Sequence, residues 1–180
     1  MRVGKNMSHY LVISAIGNDR PGIVNDVSQM IAEHKGNITS SRMMALGGEF
    51  ALMLMIEGDE TTIDGIIAKL PDIESSLGLT ITSRKNRITA AAAQQIAYKV
   101  KVVSMDHPGI VQQISDFFSN QQANIEEMNT DTYAAAHTGT QMFALNMVAS
   151  LPAETKIGQL REQFYEFCDN LNLDATIESV

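Results

Sequence analysis

The chain has 180 residues, with 13 Lys plus Arg against 21 Asp plus Glu and a net charge of −8, a length that allows one ordinary domain or two small ones. Hydrophobic residues make up 44% and charged residues 19%, which excludes a disordered composition, while the acidic balance argues against broad attraction to phosphate backbones or anionic membranes. The single cysteine, Cys168, excludes an intramolecular disulfide framework and a Cys-rich zinc site and fits a reducing, cytoplasmic setting.

Residues 1–7 are set aside as an N-terminal extension. The apolar stretch Tyr10–Ile16 follows Arg2 and Lys5, as a secretory leader would. It is short, interrupted by Ser14, and runs into Gly17-Asn18-Asp19-Arg20 without a small-residue cleavage pattern. No apolar run reaches the ~18 residues a membrane-spanning helix needs. The stretch reads instead as a strand over His9–Ile16, with Leu11, Ile13 and Ala15 on one face.

A helix is expected next, opened by Pro21-Gly22, with proline pre-organised for the first helical turn. Ile23, Val24, Val27, Met30 and Ile31 form its apolar stripe. The chain then runs Asn37–Leu46, turns at Gly47-Gly48 and returns as Glu49–Glu57, the pattern of an antiparallel hairpin. A second helix carries Ile63, Ile66, Ile67 and Leu70, and a short strand, Leu79–Ser83, closes the unit.

The same order then repeats. Residues 106–125 match residues 19–38 without a gap at an offset of 87, with 8 of 20 positions identical. The strand Ile96–Val103 places Tyr98, Val100 and Val102 on one face and Lys99 and Lys101 on the other. Ile110, Val111, Ile114, Phe117 and Phe118 repeat the first stripe. A looser hairpin joins Asn124–Tyr133 to Gln141–Ala149 around His137-Thr138-Gly139. Ile157, Leu160, Phe164 and Phe167 mark the last helix, and Ala175–Val180 the last strand. Two units of order β-α-β-β-α-β are predicted, an α+β, ferredoxin-like topology with a four-stranded antiparallel sheet and two helices on one face. The expected boundaries are 8–84 and 95–180, joined by a linker at 85–94.

Catalytic motifs are few. There is no Gly-rich phosphate loop, nucleophile elbow or His pair at metal spacing, so no enzyme activity, metal site or cofactor is expected. Cys168 falls on the apolar stripe of the last helix and reads as inert core. RNA-binding modules of this topology stack bases on exposed strand aromatics. Here Phe50–Ile56 carries one aromatic, and the one basic run, Arg84–Arg87, reads as a solvated turn. Direct nucleic-acid binding is not expected. The hairpin strands are apolar on both faces, so the face away from the helices needs a cover: the other domain, a second chain in a homo-oligomer, or a partner docked on a Met-rich surface.

The repeated loops, Asn18–Ile23 and Met105–Ile110, sit at strand-to-helix junctions. The first helical turn offers free N–H groups and a positive dipole end to a carboxylate. Asp19 and Asp106 could take an ammonium group, so the pair suits a small amino acid. The alternative is that each aspartate only caps its helix.

Asp19-Arg20-Pro21-Gly22-Ile23-Val24, an amphipathic helix, then Gly36-Asn37-Ile38 opening the next strand resembles the ACT domain, an amino-acid-sensing module. The resemblance covers residues 8–180 as two copies. ACT domains bind their amino acid through the strand-to-helix loop and the Asn that opens the second strand, often across a domain interface. The matching positions are Asp19, Arg20, Pro21, Gly22 and Ile23 with Asn37, and Asp106, His107, Pro108, Gly109 and Ile110 with Asn124. A tandem pair of this length is similar to the ACT-domain regulators of glycine cleavage. That resemblance implies a transcriptional regulator without DNA binding of its own. It would repress the glycine cleavage operon by antagonising a LysR-type DNA-binding activator, with glycine relieving the contact. The alternative is a stand-alone ACT protein that binds a small amino acid and regulates a metabolic enzyme.

Overall fold

The computed structural model describes residues 9–86 and 95–180. They form two compact units, each with its own sheet, helix pair and core. Unit 1 contains β1 (His9–Asn18), α1 (Ile23–Glu33), β2 (Asn37–Leu46), β3 (Glu49–Gly58), α2 (Glu60–Leu77) and β4 (Leu79–Asn86). Unit 2 contains β5 (Gln95–Met105), α3 (Ile110–Asn120), β6 (Asn124–Ala134), β7 (Gln141–Pro152), α4 (Ile157–Asn170) and β8 (Asp174–Ser179). The sheets run β2-β3-β1-β4 and β6-β7-β5-β8, antiparallel throughout. The α+β, twice-repeated β-α-β-β-α-β reading holds.

Alternation decides which face is core. In unit 1, Leu11, Ile13 and Ala15 of β1 and Phe50, Leu52, Leu54 and Ile56 of β3 are buried against Ile23, Val27, Met30 and Ile31 of α1 and Ile63, Ile66 and Leu70 of α2. In unit 2, Tyr98, Val100 and Val102 and Phe143, Leu145 and Met147 meet Ile110, Ile114 and Phe118 of α3 and Leu160, Phe164 and Cys168 of α4. Val24 and Val111, placed on the sequence stripes, are 39% and 40% exposed because they flank the buried row at the helix start. Burial pushes the Cys168 thiol up to about 12, which leaves it un-ionised and unreactive near neutral pH.

The repeat extends to backbone detail. Lys35 and Gln122, 87 residues apart, both take left-handed φ values, 61° and 57°, where the first helix of each unit ends. There the Gly36 and Ala123 amides donate back to the Ile31 and Phe118 carbonyls at 2.9 and 3.1 Å, helix-terminating bonds of Schellman type. Each second strand also carries a bulge at the same place, Ile38/Ser40 and Ile125/Glu127.

Lys85 and Asn86, read from sequence as linker, are the last residues of β4 and stand opposite Leu11 and Tyr10 of β1. The rest of the expected linker, and the N-terminal extension at 1–7, lie outside the described residues. Among the described residues no helix is long and apolar enough to cross a membrane.

Asp59 caps α2, its carboxylate accepting from the Thr62 amide at 2.7 Å and the Thr61 hydroxyl at 2.8 Å. Those bonds, the Thr62 amide foremost, favour the ionised form and hold the Asp59 carboxyl below its ordinary value of 3.8. A depressed carboxylate adds stability above its unfolded value and loses it as pH falls through the folded one. Asp59→Ala is therefore expected to lower Tm at neutral pH. The gap from wild type should close as pH is taken below 3.8. A gap that stayed constant in thermal melts at pH 7 and at strongly acid pH would contradict the capping role.

Candidate functional site

Both Pro-Gly loops leave the sheet at the end of their unit's first strand. Asn18 stands opposite Glu49 at the end of β1, and the Asp19 amide then donates to the Gly48 carbonyl at 3.1 Å, tying the loop to the β2–β3 hairpin tip. In unit 2 the Asp106 amide donates to the Gln141 carbonyl at 2.9 Å. The two loops are thus anchored alike, each held by one backbone bond to the neighbouring hairpin.

The helices begin two residues later than the sequence reading placed them, at Ile23 and Ile110. Gly22 and Gly109 are the N-cap residues, with φ of 89° and 98° and ψ of −8° in both. Pro21 and Pro108 precede the cap and lie outside the first turn. A left-handed cap turns the chain sharply from strand into helix, a conformation glycine adopts without the penalty a Cβ brings. Among the described residues no side chain caps either helix. The capping alternative for Asp19 and Asp106 is therefore not realised, and both aspartates are exposed at the loop. Ile23 and Ile110, the residues after the glycines, are each 2% exposed and anchor the helix starts in the core.

The two loops differ in charge. In unit 1, Arg20 donates to Asp26 in the first turn of α1 at 2.8 Å and to the Pro21 carbonyl at 3.3 Å. Both partners are about 40% exposed, at 41% and 39%, so the pair organises the loop more than it stabilises the fold. In unit 2 the equivalent residues are His107 and Gln113. His107 Nδ1 lies 3.2 Å from the Pro108 carbonyl. The first turn of α3 holds no acid, and the Gln113 carboxamide oxygen is buried without a hydrogen-bond partner among the described residues. The sequence reading missed Asp26 and Gln113. Aligning the repeat at its offset of 87 and asking where charge changes would have found them.

The strand-opening asparagines are elsewhere. Asn37 stands opposite Glu57, eight residues along β3 from Glu49, where the Asp19 loop begins. At 3.4 Å per residue that is about 27 Å. Asn124 opposite Ser150 and Met105 opposite Met142 repeat the separation in unit 2. Within one unit no small molecule touches both the loop and its asparagine. Antiparallel pairing of β2 against β3 sends the start of β2 to the far end of the sheet. Among the described residues no group of three His, Cys, Asp or Glu side chains gathers as metal ligands would. Each loop therefore places an exposed carboxylate beside the start of a helix, complementary to the two ends of a zwitterion, although in unit 1 the Ile23 amide already donates to the Arg20 carbonyl at 3.4 Å.

The profile of the ACT domain matches residues 9–83, the described span of unit 1 almost end to end. The chain is 28% identical over 172 residues to the glycine cleavage system transcriptional repressor of Escherichia coli, covering 96% of this chain and 90% of that protein. A crystal structure of a protein described as a candidate glycine cleavage system transcriptional repressor superposes with a TM-score of 0.71 at 25% identity, covering 97% of this chain and 98% of that one. An unknown protein from Galdieria sulphuraria gives 0.79 at 25% identity over 96% and 99%. Unit 1 matches the ACT-domain profile, unit 2 repeats its topology, and the chain is similar along nearly its whole length to proteins named as glycine cleavage system transcriptional repressors.

Proposed function

We propose that the chain is an amino-acid-responsive transcriptional regulator that acts through protein contact, with glycine or another small amino acid as effector at the Pro-Gly loops. The observation that carries this is the near full-length similarity to a protein named as a glycine cleavage repressor, joined to two matching loops whose aspartates cap no helix. The net charge of −8 favours contact with a DNA-binding activator over contact with the operator itself.

At each loop the first-turn amides receive the ligand carboxylate, and Asp19 or Asp106 receives its ammonium. Glycine has almost no apolar area to bury, so affinity comes from a few charged hydrogen bonds of ~1.5–3 kcal/mol each, less the entropy of association. Binding falls in the micromolar to millimolar range. Unit 2 is the better seat. At α1 the Arg20 guanidinium is already paired with Asp26 and the Ile23 amide already donates to the Arg20 carbonyl at 3.4 Å, whereas α3 presents no acid in its first turn. To control a partner, the ligand must bind the free and partner-bound forms with different affinity.

The test is an electrophoretic shift with glycine cleavage operator DNA, a LysR-type activator and this chain. Expected are no specific band from the chain alone, a change in the activator complex when the chain is added, and reversal by glycine. Reversal should be lost in Asp106→Ala and largely kept in Asp19→Ala. A saturable band from the chain alone, or no effect on the activator complex, would overturn the regulatory reading. Reversal that survives both substitutions would overturn the site.

A further inference from the structure

The sheet face turned away from the helices differs between the two units in a way the fold does not require. In unit 2 it carries a hollow of about 310 Å³ lined by Lys99 and Lys101 of β5, Asn146 and Val148 of β7, and Glu127 and Asn129 of β6. This is near the lower limit, about 300 Å³, of small-ligand sites. The strand register fixes how these groups face one another. Lys99 stands beside Val148, which stands beside Glu127; Lys101 stands beside Asn146, which stands beside Asn129. Two ammonium groups therefore form one wall, Val148 and Asn146 the floor, and Glu127 with Asn129 the other wall. The Asn129 amide donates to Glu127 at 2.9 Å, which orients that carboxylate. The walls are two strand spacings apart, about 9.6 Å between backbones. Neither lysine is in an ion pair among the described residues.

The equivalent positions in unit 1, by the same register, are Val12, Met55 and Ser40 in one row and Ser14, Met53 and Arg42 in the other. Unit 1 folds the same way with an apolar centre there, so the lysines, asparagines and glutamate of unit 2 are not needed for the sheet. Buried positions behave differently. Leu11 and Ile13 of β1 become Tyr98 and Val100 of β5, and all four stay in the core. The second copy carries more charge on this face, and those charged groups border one hollow.

We propose that this hollow is a binding site for an acidic amino acid, glutamate or aspartate, distinct from the Pro-Gly loops. Two cationic groups against one carboxylate leave the lining one positive charge in excess, and a dicarboxylic amino acid carries one negative charge in excess. Lys99 and Lys101, with backbones about 6.7 Å apart along β5, each take one carboxylate. Glu127 takes the ammonium across Val148, and the Asn129 and Asn146 carboxamides supply neutral hydrogen bonds. Glu178 stands beside Lys99 on the opposite flank, in β8, outside the hollow. It competes for that lysine and lowers affinity.

Calorimetric titration of the full chain with L-glutamate, L-aspartate, glutarate and glycine tests the assignment. Expected is saturable binding of at least one acidic amino acid in the micromolar to millimolar range, tighter than glutarate, which lacks the ammonium. Lys99→Gln and Lys101→Gln are each expected to weaken it about tenfold or more. Glu127→Gln should weaken the amino acid but not glutarate, and Glu178→Gln should tighten it. All four side chains are exposed, and circular dichroism is expected to show each variant folded. Asp106→Ala, which tests the loop, should leave this binding unchanged. Binding unaffected by either lysine substitution, binding lost in Asp106→Ala, or no saturable heat for either acidic amino acid would each overturn the proposal. Of these results only a loss in Asp106→Ala bears on the loops, because it would move the acidic amino acid to the Pro-Gly site; the others leave the glycine reading untouched.

Discussion

Replacing Phe164 by alanine is expected to cost unit 2 about 3–5 kcal/mol, the largest single loss accessible without touching the loops. Phe164 is fully buried on α4, with its ring centroid 5.2 Å from those of both Phe117 and Phe118 and 6.4 Å from that of Phe167. Truncation removes the transfer energy of the ring and leaves a cavity that three neighbouring aromatics, fixed on two helices, cannot collapse to fill. Ile66 and Leu70 occupy the corresponding layer of unit 1, whose core is separate. The loss should therefore appear in the unfolding of unit 2. Three of the four tyrosines, Tyr98, Tyr133 and Tyr165, lie in that unit, so tyrosine fluorescence during urea unfolding reports on it. Phe164→Leu should recover part of the loss. A shift below about 1 kcal/mol for Phe164→Ala would mean that the aromatic cluster is not the keystone of this core.

Gly109→Val is expected to have the second largest effect, and it acts on stability and ligand response together. Gly109 holds φ at 98° and ψ at −8°, a region a β-branched residue enters at a cost of about 1–3 kcal/mol. Crowding is not the cause. The nearest atom to a Cβ built there is the Gln113 side-chain Nε2 at 3.7 Å, an ordinary contact. Gly109→Ala should lose less, because alanine lacks the branch. At roughly 4–8 °C per kcal/mol for a unit of this size, thermal melts resolve the series. Relaxing φ would also turn the amides of Gly109 and Ile110 away from the loop, so the glycine response should fall in the same order. Gly22→Val repeats the stability loss in unit 1, where Arg20 is already paired with Asp26. Full stability and full glycine response in Gly109→Val would remove the left-handed cap from the site.

Element order, the repeat and the core rows are local properties, and they were legible as such. Leu11, Ile13 and Ala15 alternate because a strand exposes its two faces in turn. Ile23, Val27, Met30 and Ile31 recur because a helix returns to one face every three or four residues. Pro71 shows the limit of that reading. It sits in the interior of α2, where local preference would end the helix. The helix continues to Leu77 because Ile73 and Leu77 pack against the core beyond it and the Glu74 side chain accepts from the Ile81 amide of β4 at 2.9 Å. Tertiary contacts outweigh the missing backbone donor.

The candidate site divides in the same way. The two matching loops, their aspartates and glycines, and the strand-to-helix junctions that carry them are legible along the chain, because each is a run of neighbouring residues. The sequence also places Lys99 and Lys101 on the face of β5 away from the core. Strand pairing sets the rest: Asn37 and Asn124 lie about 27 Å from their own loops, Asp19 and Asp106 cap neither of the helices that follow them, and Glu127, Asn129 and Asn146 stand across from the two lysines. Register brings together residues from β5, β6 and β7 that are separated by tens of positions in the chain, and no periodicity along one segment encodes which partner a strand will choose.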